Sequence, residues 1–270
     1  MRTMRATIRI LLLTLFTSAA VSAQVPPSVL IDDLTWTELK DQIQAGKTIV
    51  IVPIGGTEQS GPHMALGKHN VRAMVLAEKI ARTLGNALVA PLVAYVPEGS
   101  VDPPSAHMRF PGTITVPDAA FESVLEYAAR SFKLHGFRDI VFLGDHGSYQ
   151  KDESVVAARL NREWAATPVR AHAIIEYYGA AQKSYADALR RAGYRDEEIG
   201  THAGLADTAL ALAVDPRLVR MDLLKSAAAP TRAQGVYGDP RRASAELGKL
   251  GVDAIVRETV EAIRKASLRR

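Results

Sequence analysis

The sequence predicts an α/β protein, a three-layer α/β/α domain with a mostly parallel central sheet. Two largely apolar runs rich in β-branched residues, 48–54 and 139–143, have the composition of strands buried on both faces, and glycine follows each run directly. Segments with apolar residues at helical spacing alternate with these runs along the chain. Strands that alternate with helices are typical of a parallel sheet covered by helices on both faces.

The remaining elements follow from local patterns. The first helix begins behind a Thr or Asp cap, and the later helices are indicated by apolar periodicity. The longest irregular segments, 97–120 and 214–240, are interpreted as loops that shape a site. In order along the chain, the predicted elements are helix 35–44, strand 48–54, helix 71–84, strand 87–96, helix 121–134, strand 139–143, helix 154–164, strand 170–177, and helices 204–212 and 243–265.

The first 23 residues differ in kind from the rest of the chain. Three arginines precede a short apolar run, which is followed by small residues that end at Ala23. This order is typical of a cleavable secretory signal peptide, and the apolar run is too short for a transmembrane helix. We therefore expect a periplasmic or secreted protein with no membrane attachment after cleavage. Residues 24–34 are predicted to be an exposed lead-in to a single domain, 35–270.

Charge and cysteine content exclude several classes of function. Removal of the three arginines in the signal segment lowers the net charge from +4 to +1, so the basic composition predicts no nucleic-acid partner. The chain contains no cysteine, which excludes disulfides and thiolate metal ligands. A metal site in this protein must therefore use histidine and carboxylate ligands.

Polar side chains cluster directly after the two buried strands. Glu58, His63 and His69 follow the first strand, and Asp145 and His146 follow the second. Because ligands bind at the carboxyl ends of parallel strands, we expect these two loops to lie side by side. Carboxylate and imidazole ligands with one open position are typical of hydrolytic zinc or manganese sites. Spacing alone leaves open the alternative of surface histidines and a capping glutamate, since no short-range pair such as H-x-x-x-H occurs.

Several strings of the sequence resemble the creatininase family. The segment G-G-T-E-Q-S-G-P-H-M-A-L-G-K-H at 55–69 is similar to the family signature G-[ST]-x-E-Q-H-G-P-H-L-P-L-x-T-D. F-P-G-T-I at 110–114 follows a matching His107, and G-D-H-G-S at 144–148 resembles N-G-H-G-G. H-A-G at 202–204 and G-V-Y-G-D-P at 235–240 complete the series. These strings lie in the family's order over about residues 33–266.

The resemblance implies a three-layer α/β fold, hexameric assembly, and two divalent metals that hydrolyse cyclic or linear amides. Glu58 and His146 keep two of the family's ligand positions, whereas His69 replaces the carboxylate that bridges the metals. Ser60 and Ser148 occupy two further ligand positions. With these departures, the resemblance predicts one divalent ion per chain, Zn²⁺ or Mn²⁺, held by Glu58, His69 and His146.

The resemblance also implies roles for other side chains. His202 matches the family histidine implicated in proton transfer, and we predict that His202 and His107 are catalytic. His63 is interpreted as an orienting residue outside the ligand set. Asp145 is interpreted first as a hydrogen-bond partner of the site, then as an extra ligand or a loop cap. Asp207 stands where the family has a glutamate, and its role is left open.

The predicted function is that of an exported, metal-dependent amidohydrolase that hydrolyses a C–N bond of a small-molecule amide with metal-activated water. Creatinine itself is not favoured as the substrate, because the altered positions belong to the two-metal site. The alternative is a catalytically degenerate protein of the same fold that binds a metal or a ligand. The family also implies a homo-oligomer, with the hexamer as its common form.

Overall fold

Parallel strands form the centre of the structure, a computed structural model that describes residues 28–225 and 228–268. The described sheet has four strands in the order β2-β1-β3-β4, and all neighbouring strands are parallel. The two central strands, β1 and β3, pair along their whole length and are buried at every residue, as predicted. The strands are β1 Ile49–Ile54, β2 Ala87–Val89, β3 Asp139–Gly144 and β4 Arg170–Ala173.

Helices cover the sheet and confirm the predicted α/β class. The helices are α1 Trp36–Gln44, α2 Lys68–Leu84, α3 Asp118–His135, α4 Gln150–Glu163, α5 Glu176–Ala180, α6 Ala186–Arg191, α7 Asp196–Ile199, α8 Leu205–Val214, α9 Met221–Leu224 and α10 Ala245–Ser267. A π-helical turn, Ala181–Tyr185, joins α5 to α6. Helix α2 packs on β1 and β2, and α4 packs on β3 and β4. Because parallel crossovers are right-handed, these two helices lie on opposite faces of the sheet.

The connections that follow β1 and β3 run towards opposite edges of the sheet. From β1 the chain passes through α2 to one edge, and from β3 it passes through α4 to the other edge. The loops that follow β1 and β3 therefore diverge and leave a crevice at the carboxyl ends of these strands. In open α/β sheets this is the place where ligands bind.

Two predicted strands are shorter in the structure. Strand β2 ends at Val89 rather than at residue 96, since Pro91 has no N–H for a ladder and only an isolated bridge joins Val93 to Ile54. Strand β4 ends at Ala173 rather than at residue 177, and α5 begins at Glu176. The helical segment 176–191 is not predicted: the predicted strand 170–177 covers its first two residues, and no element is predicted for residues 178–203.

The predicted exposed lead-in is only partly exposed over its described residues: Asp32 and Asp33 are exposed, whereas Val29 is buried. Val29 is 6% exposed, and its carbonyl accepts a hydrogen bond of 2.8 Å from the Val89 N–H. Leu30 forms an isolated bridge with the same residue, so this segment extends the edge of the sheet. The predicted signal peptide, 1–23, lies outside the described residues. None of the described helices combines the length and the hydropathy that a membrane span requires.

Glycine allows two loops to meet closely beside α8. Thr201 donates a 2.8 Å hydrogen bond to the Tyr237 carbonyl, and Tyr237 donates one of 2.8 Å to the His202 carbonyl. Gly200 has a φ of +68°, and a Cβ at this residue would collide with the backbone of Tyr237 and Gly238. This contact places His202 at the crevice.

We expect Gly200→Ala to destabilise the protein more than Gly193→Ala. Both glycines have positive φ, but a Cβ at Gly193 would have no heavy atom within 4 Å. Gly193→Ala, the control, should therefore lower the free energy of unfolding by about 1 kcal/mol, because alanine is disfavoured at positive φ. Gly200→Ala should cost roughly 2 kcal/mol more, because the backbone of a second loop must move. Urea denaturation of both variants measures the difference, and equal losses would contradict the proposed contact.

Candidate metal centre

The two oxygens of the Glu58 carboxylate face different surroundings. Glu58 is fully buried, and its Oε1 lies 2.7 Å from His69 Nε2 and 3.6 Å from Lys68 Nζ. Its Oε2 has no hydrogen-bond partner among the described residues, although it lies 3.2 Å from His107 Nε2 and 3.5 Å from His146 Nε2. One oxygen is therefore stabilised by protein donors, and the other points towards two imidazoles without bonding to them.

The separation between Glu58 Oε2 and His146 Nε2 suits a shared cation better than a direct hydrogen bond. Ligand atoms about 2.1 Å from a tetrahedral zinc ion lie about 3.4 Å from one another. The 3.5 Å between these two atoms is close to this value. Glu98 joins the group, since one donor atom from each of Glu58, Glu98, His107 and His146 lies within 4.8 Å of all the others. The structure thus brings two predicted ligands, Glu58 and His146, together with two other residues.

The Glu98 carboxyl group is buried and makes no hydrogen bond within the described residues. Glu98 is 2% exposed, and its Oε2 lies 3.7 Å from His146 Nδ1, beyond hydrogen-bond distance. Burial, and then the charge of Glu58, raise the pKa of Glu98 to about 9. Gly56 makes room for this side chain, because a Cβ there would lie 2.7 Å from Glu98 Oε1. A divalent cation would remove the cost of burying two neighbouring carboxylates, so the donor set fits such an ion.

Ser148 orients the His146 ring. His146 Nδ1 lies 2.9 Å from Ser148 Oγ, and this hydroxyl donates a 2.7 Å hydrogen bond to the Pro97 carbonyl. The Ser148 backbone N–H also lies 3.3 Å from His146 Nδ1, so two groups of one residue hold this edge of the ring. The opposite nitrogen, Nε2, lies 3.5 Å from Glu58 Oε2. Burial lowers the pKa of His146 to about 3, so the ring is neutral at pH 7.

His69 links two carboxylates beside this group. Its Nδ1 lies 2.6 Å from Asp145 Oδ2, and its Nε2 lies 2.7 Å from Glu58 Oε1. Both ring nitrogens are thus engaged by protein oxygens, and His69 is outside the group of converging donor atoms. Asp145 is also bonded by Tyr177 Oη at 2.7 Å and by Arg72 Nε at 2.7 Å. Of the three interpretations of Asp145, this geometry corresponds to the hydrogen-bond partner.

Helix α2 brings two buried cations to these carboxylates. Lys68 Nζ lies 3.0 Å from Asp207 Oδ2, and Arg72 Nη1 lies 3.0 Å from Asp207 Oδ1. Burial alone would raise the pKa of Asp207, but the charges of Lys68 and Arg72 hold it well below its usual value. Arg72 also contacts Asp145, so this network connects α2, α8 and the loop after β3.

Hydrogen bonds with Gln59 define which ring nitrogen carries the proton in two further histidines. The Gln59 amide nitrogen lies 3.0 Å from His107 Nδ1, and the Gly61 N–H, 3.0 Å from Gln59 Oε1, fixes the orientation of this amide. His107 Nδ1 is therefore the acceptor, and Nε2 carries the proton that faces the centre. His202 Nε2 lies 3.0 Å from the backbone carbonyl of Gln59 and donates to it, which leaves the Nδ1 lone pair free. That Nδ1 is 3.6 Å from Glu58 Oε1.

A family model described as creatinine amidohydrolase matches residues 32–263 of this chain. The chain belongs to the creatininase family. A creatinine amidohydrolase from Pseudomonas putida is 26% identical over 260 residues, which cover 88% of this chain and 97% of that protein. A mycofactocin precursor peptide peptidase from Mycolicibacterium smegmatis is 28% identical over 223 residues, covering 79% of this chain and 83% of that protein.

Solved creatininase structures share the fold. A creatinine amidohydrolase structure has a TM-score of 0.74 at 24% identity and covers 89% of this chain and 98% of its own. A creatininase variant of the Zn–Zn type and a structure named creatininase Mn have TM-scores of 0.72 and 0.71, also at 24% identity. The first covers 89% of this chain and 99% of its own, and the second covers 88% and 98%. The fold expected from the family resemblance is therefore confirmed.

Sequence reasoning about this creatininase-family chain missed Glu98, Lys68 and Arg72. Glu98 lies in the long loop after β2, where no periodic pattern indicates which side chains point inward. Lys68 and Arg72 offered a signal, since they share one face of α2 with the buried Leu76 at intervals of four residues. Charged residues in such a position are buried only when they meet opposite charges.

His63 lies apart from the candidate ligands. It is 1% exposed, and its Nε2 lies 3.0 Å from Thr208 Oγ1. Burial, and then the charge of Lys68, lower the pKa of His63 to about 4. The family signature thus places a neutral, buried imidazole between the loop after β1 and α8.

We expect His63 to make the stability of the metal-free protein depend on pH. An unfolded histidine titrates near pH 6.5, whereas folded His63 stays neutral down to about pH 4. Above pH 6.5 both states are neutral and the free energy of unfolding is at its full value; below pH 6.5 the unfolded state takes up a proton that the folded state does not. The contribution of neutral His63 is lost as the pH falls from 6.5 to about 4, and it amounts to about 3 kcal/mol. His63→Gln should therefore flatten the pH dependence of the free energy of unfolding, measured with urea between pH 7 and pH 4.5. His135→Gln, at an exposed position at the end of α3, is the control; a slope that His63→Gln leaves unchanged would contradict the assignment.

Proposed function

We propose that this protein is a metal-dependent hydrolase that adds water across an amide C–N bond. The observation that carries the proposal is the meeting of two buried carboxylates, Glu58 and Glu98, with His146 at the carboxyl ends of β1 and β3. Among the described residues, Glu58 Oε2 and both Glu98 oxygens have no hydrogen-bond partner. A divalent cation bound there would offset the cost of burying the two neighbouring carboxylates. The curated relatives support hydrolysis, since they are named as an amidohydrolase and a peptidase.

In this proposal Glu58 Oε2, Glu98 and His146 Nε2 hold one divalent ion, Zn²⁺ or Mn²⁺. This set replaces His69 of the sequence prediction with Glu98, because both His69 nitrogens are engaged by carboxylates. A single ion is favoured because Glu58 Oε1, the other oxygen, already faces Lys68 and His69. Solved creatininases of the Zn–Zn type and with Mn support the choice of metals.

When bound, the ion would lower the pKa of a water molecule and polarise the substrate carbonyl. His202 Nδ1 accepts the proton of the attacking water, because its lone pair is free and burial lowers the pKa of this ring to about 4, which keeps it neutral at pH 7. The water oxygen bonds to the carbonyl carbon and the C–N bond breaks. His202 then returns the proton to the leaving nitrogen. His107 Nε2–H donates to the carbonyl oxygen as negative charge develops there.

The predicted export and self-association belong to the same proposal. Export rests on the basic, apolar and small-residue order of the first 23 residues, and a homo-oligomer rests on the family resemblance. An amidohydrolase outside the cytoplasm would meet small amides from the surroundings of the cell. Fractionation of the producing cells tests the location, and light scattering of the purified protein tests the assembly.

We expect Glu98→Gln to lose bound metal and Glu153→Gln to retain it. Both glutamates are buried and burial raises the pKa of each, but Glu153 is not a member of the group of converging donor atoms. Elemental analysis of protein expressed from residue 24 and loaded with Zn²⁺ or Mn²⁺ should give about one ion per chain. Loss of metal from both variants or from neither would contradict the ligand set, and two tightly held ions in the parent protein would contradict the single-ion site.

We expect His202→Asn to lower turnover by at least about 100-fold while the metal content stays unchanged. Substrates come from a panel of cyclic amides, acylated amino acids and dipeptides, with chelator sensitivity as the criterion for activity. His135→Asn, at an exposed position, is the control. Unchanged turnover in His202→Asn would end its assignment. A metal-loaded parent that hydrolyses nothing in the panel would favour the alternative, a binding protein of the creatininase fold.

A further inference from the structure

An open pocket of about 630 Å³ borders the candidate centre. We call it the entrance pocket and define it by Gln59, His107, Arg109, His202, Arg232 and Tyr237. His107 and His202 connect this space to the centre, since both rings also approach Glu58. A molecule that fills the entrance pocket therefore extends from the reacting groups to the two arginines.

The walls of the entrance pocket come from two loops that the Gln59 side chain joins. One wall is the turn Ala106–Arg109 and the other is the turn Arg232–Gln234. Besides its contact with His107, the Gln59 amide donates to the Gly235 carbonyl at 3.4 Å. A Cβ at Gly235 would collide with the Gln59 amide, so glycine permits this junction. The pocket is thus a built feature that holds both arginines on one side of the centre.

Neither arginine of the entrance pocket has a carboxylate partner in the part of the chain that the structure describes. Arg109 Nε contacts only the Pro104 carbonyl, at 3.5 Å, and the Arg232 guanidinium lies over the Tyr237 ring, 5.6 Å from its centroid. In contrast, Arg242 on the following turn is paired with Glu198 at 2.9 Å. Two exposed guanidinium groups without counter-ions therefore face one pocket.

No acidic side chain lines this pocket among the described residues, whereas Arg109 and Arg232 each carry a positive charge. The pocket is therefore electropositive. A guanidinium binds carboxylates through paired hydrogen bonds, and two such groups would repel a cationic substrate and favour an anionic substrate over a neutral one.

We propose that the substrates are amides that carry a carboxylate, such as N-acylated amino acids, and that Arg109 and Arg232 bind this carboxylate. The inference rests on the proposed function, because it places the scissile amide at the candidate centre. The two arginines determine specificity. They act on binding and leave the reacting groups unchanged.

Matched hydroxamates test this inference without turnover. A hydroxamate binds the metal, and succinic and glutaric monohydroxamates differ from butyro- and pentanohydroxamate by a terminal carboxylate in place of a methyl group. We compare each monohydroxamate with the neutral hydroxamate of the same chain length by calorimetry on the zinc-loaded protein. For the chain length that fits the pocket, the carboxylate-bearing compound should bind roughly tenfold more tightly or better. The double variant Arg109→Gln, Arg232→Gln should abolish this preference. Arg162→Gln, at an exposed position on α4, should leave it unchanged.

The possible results distinguish the carboxylate preference from the proposed metal-dependent function. Equal binding of acid and neutral hydroxamates to the parent protein overturns the inference and leaves the proposed function intact, as does a preference that survives in the double variant. If neither hydroxamate binds, the metal-dependent function fails, and the carboxylate preference is measured on metal-free protein with N-acetylglycine and N-acetylglycinamide. Tighter binding of the acid that is lost in the double variant supports the pocket assignment. Equal binding, or none, overturns it.

Discussion

The division of the Glu58 carboxylate between two environments is the constraint on which the candidate centre depends. One oxygen is held by His69 and lies near Lys68, whereas the other is buried and faces His146 without a bond. An unpaired buried carboxylate oxygen is costly, and protein donors satisfy only one side of this group. The unsatisfied side is where Glu98 also lies, so the need for a cation is confined to one place in the crevice.

Buried ion pairs hold this arrangement in position. Arg72 bonds Asp145 and Asp207, and Lys68 bonds Asp207, so α2 is tied to the loop after β3 and to the start of α8. Buried charges stabilise a fold only when their geometry and hydrogen bonds offset desolvation. Here each carboxylate has several donors, and Asp145 directly precedes His146. The network therefore controls the direction of a candidate ligand through its neighbour in the chain.

The two histidines of the entrance pocket sit beside strained backbone. Ala106 and Ala203 have φ values of +46° and +53°, and among the described residues they are the non-glycine residues with positive φ. Each is the immediate neighbour of a site histidine, His107 or His202. Non-glycine residues in this conformation persist where the surrounding structure holds them, and they concentrate at functional sites. Gln59 supplies part of that restraint, since its side-chain amide bonds the His107 ring and its backbone carbonyl accepts from the His202 ring.

The sequence alone determined the α/β class, the central strands and the family. These conclusions were accessible because β1 and β3 are continuous apolar runs, and because the strings around Glu58, His107, His146 and His202 are local. The edge strands were predicted too long, since apolar composition does not show where ladder hydrogen bonds end.

The tertiary structure alone decided the membership of the candidate centre. Glu98 reaches Glu58 through an irregular loop, and such a path leaves no periodic signal in the sequence. Whether His69 faces a metal or two carboxylates depends on Asp145, which lies 76 residues away in the chain. The same holds for Arg109 and Arg232, which share one pocket only because two distant loops meet at Gln59. Local sequence sets which groups are present, but the distances between oppositely charged or ligating atoms are set by long-range packing.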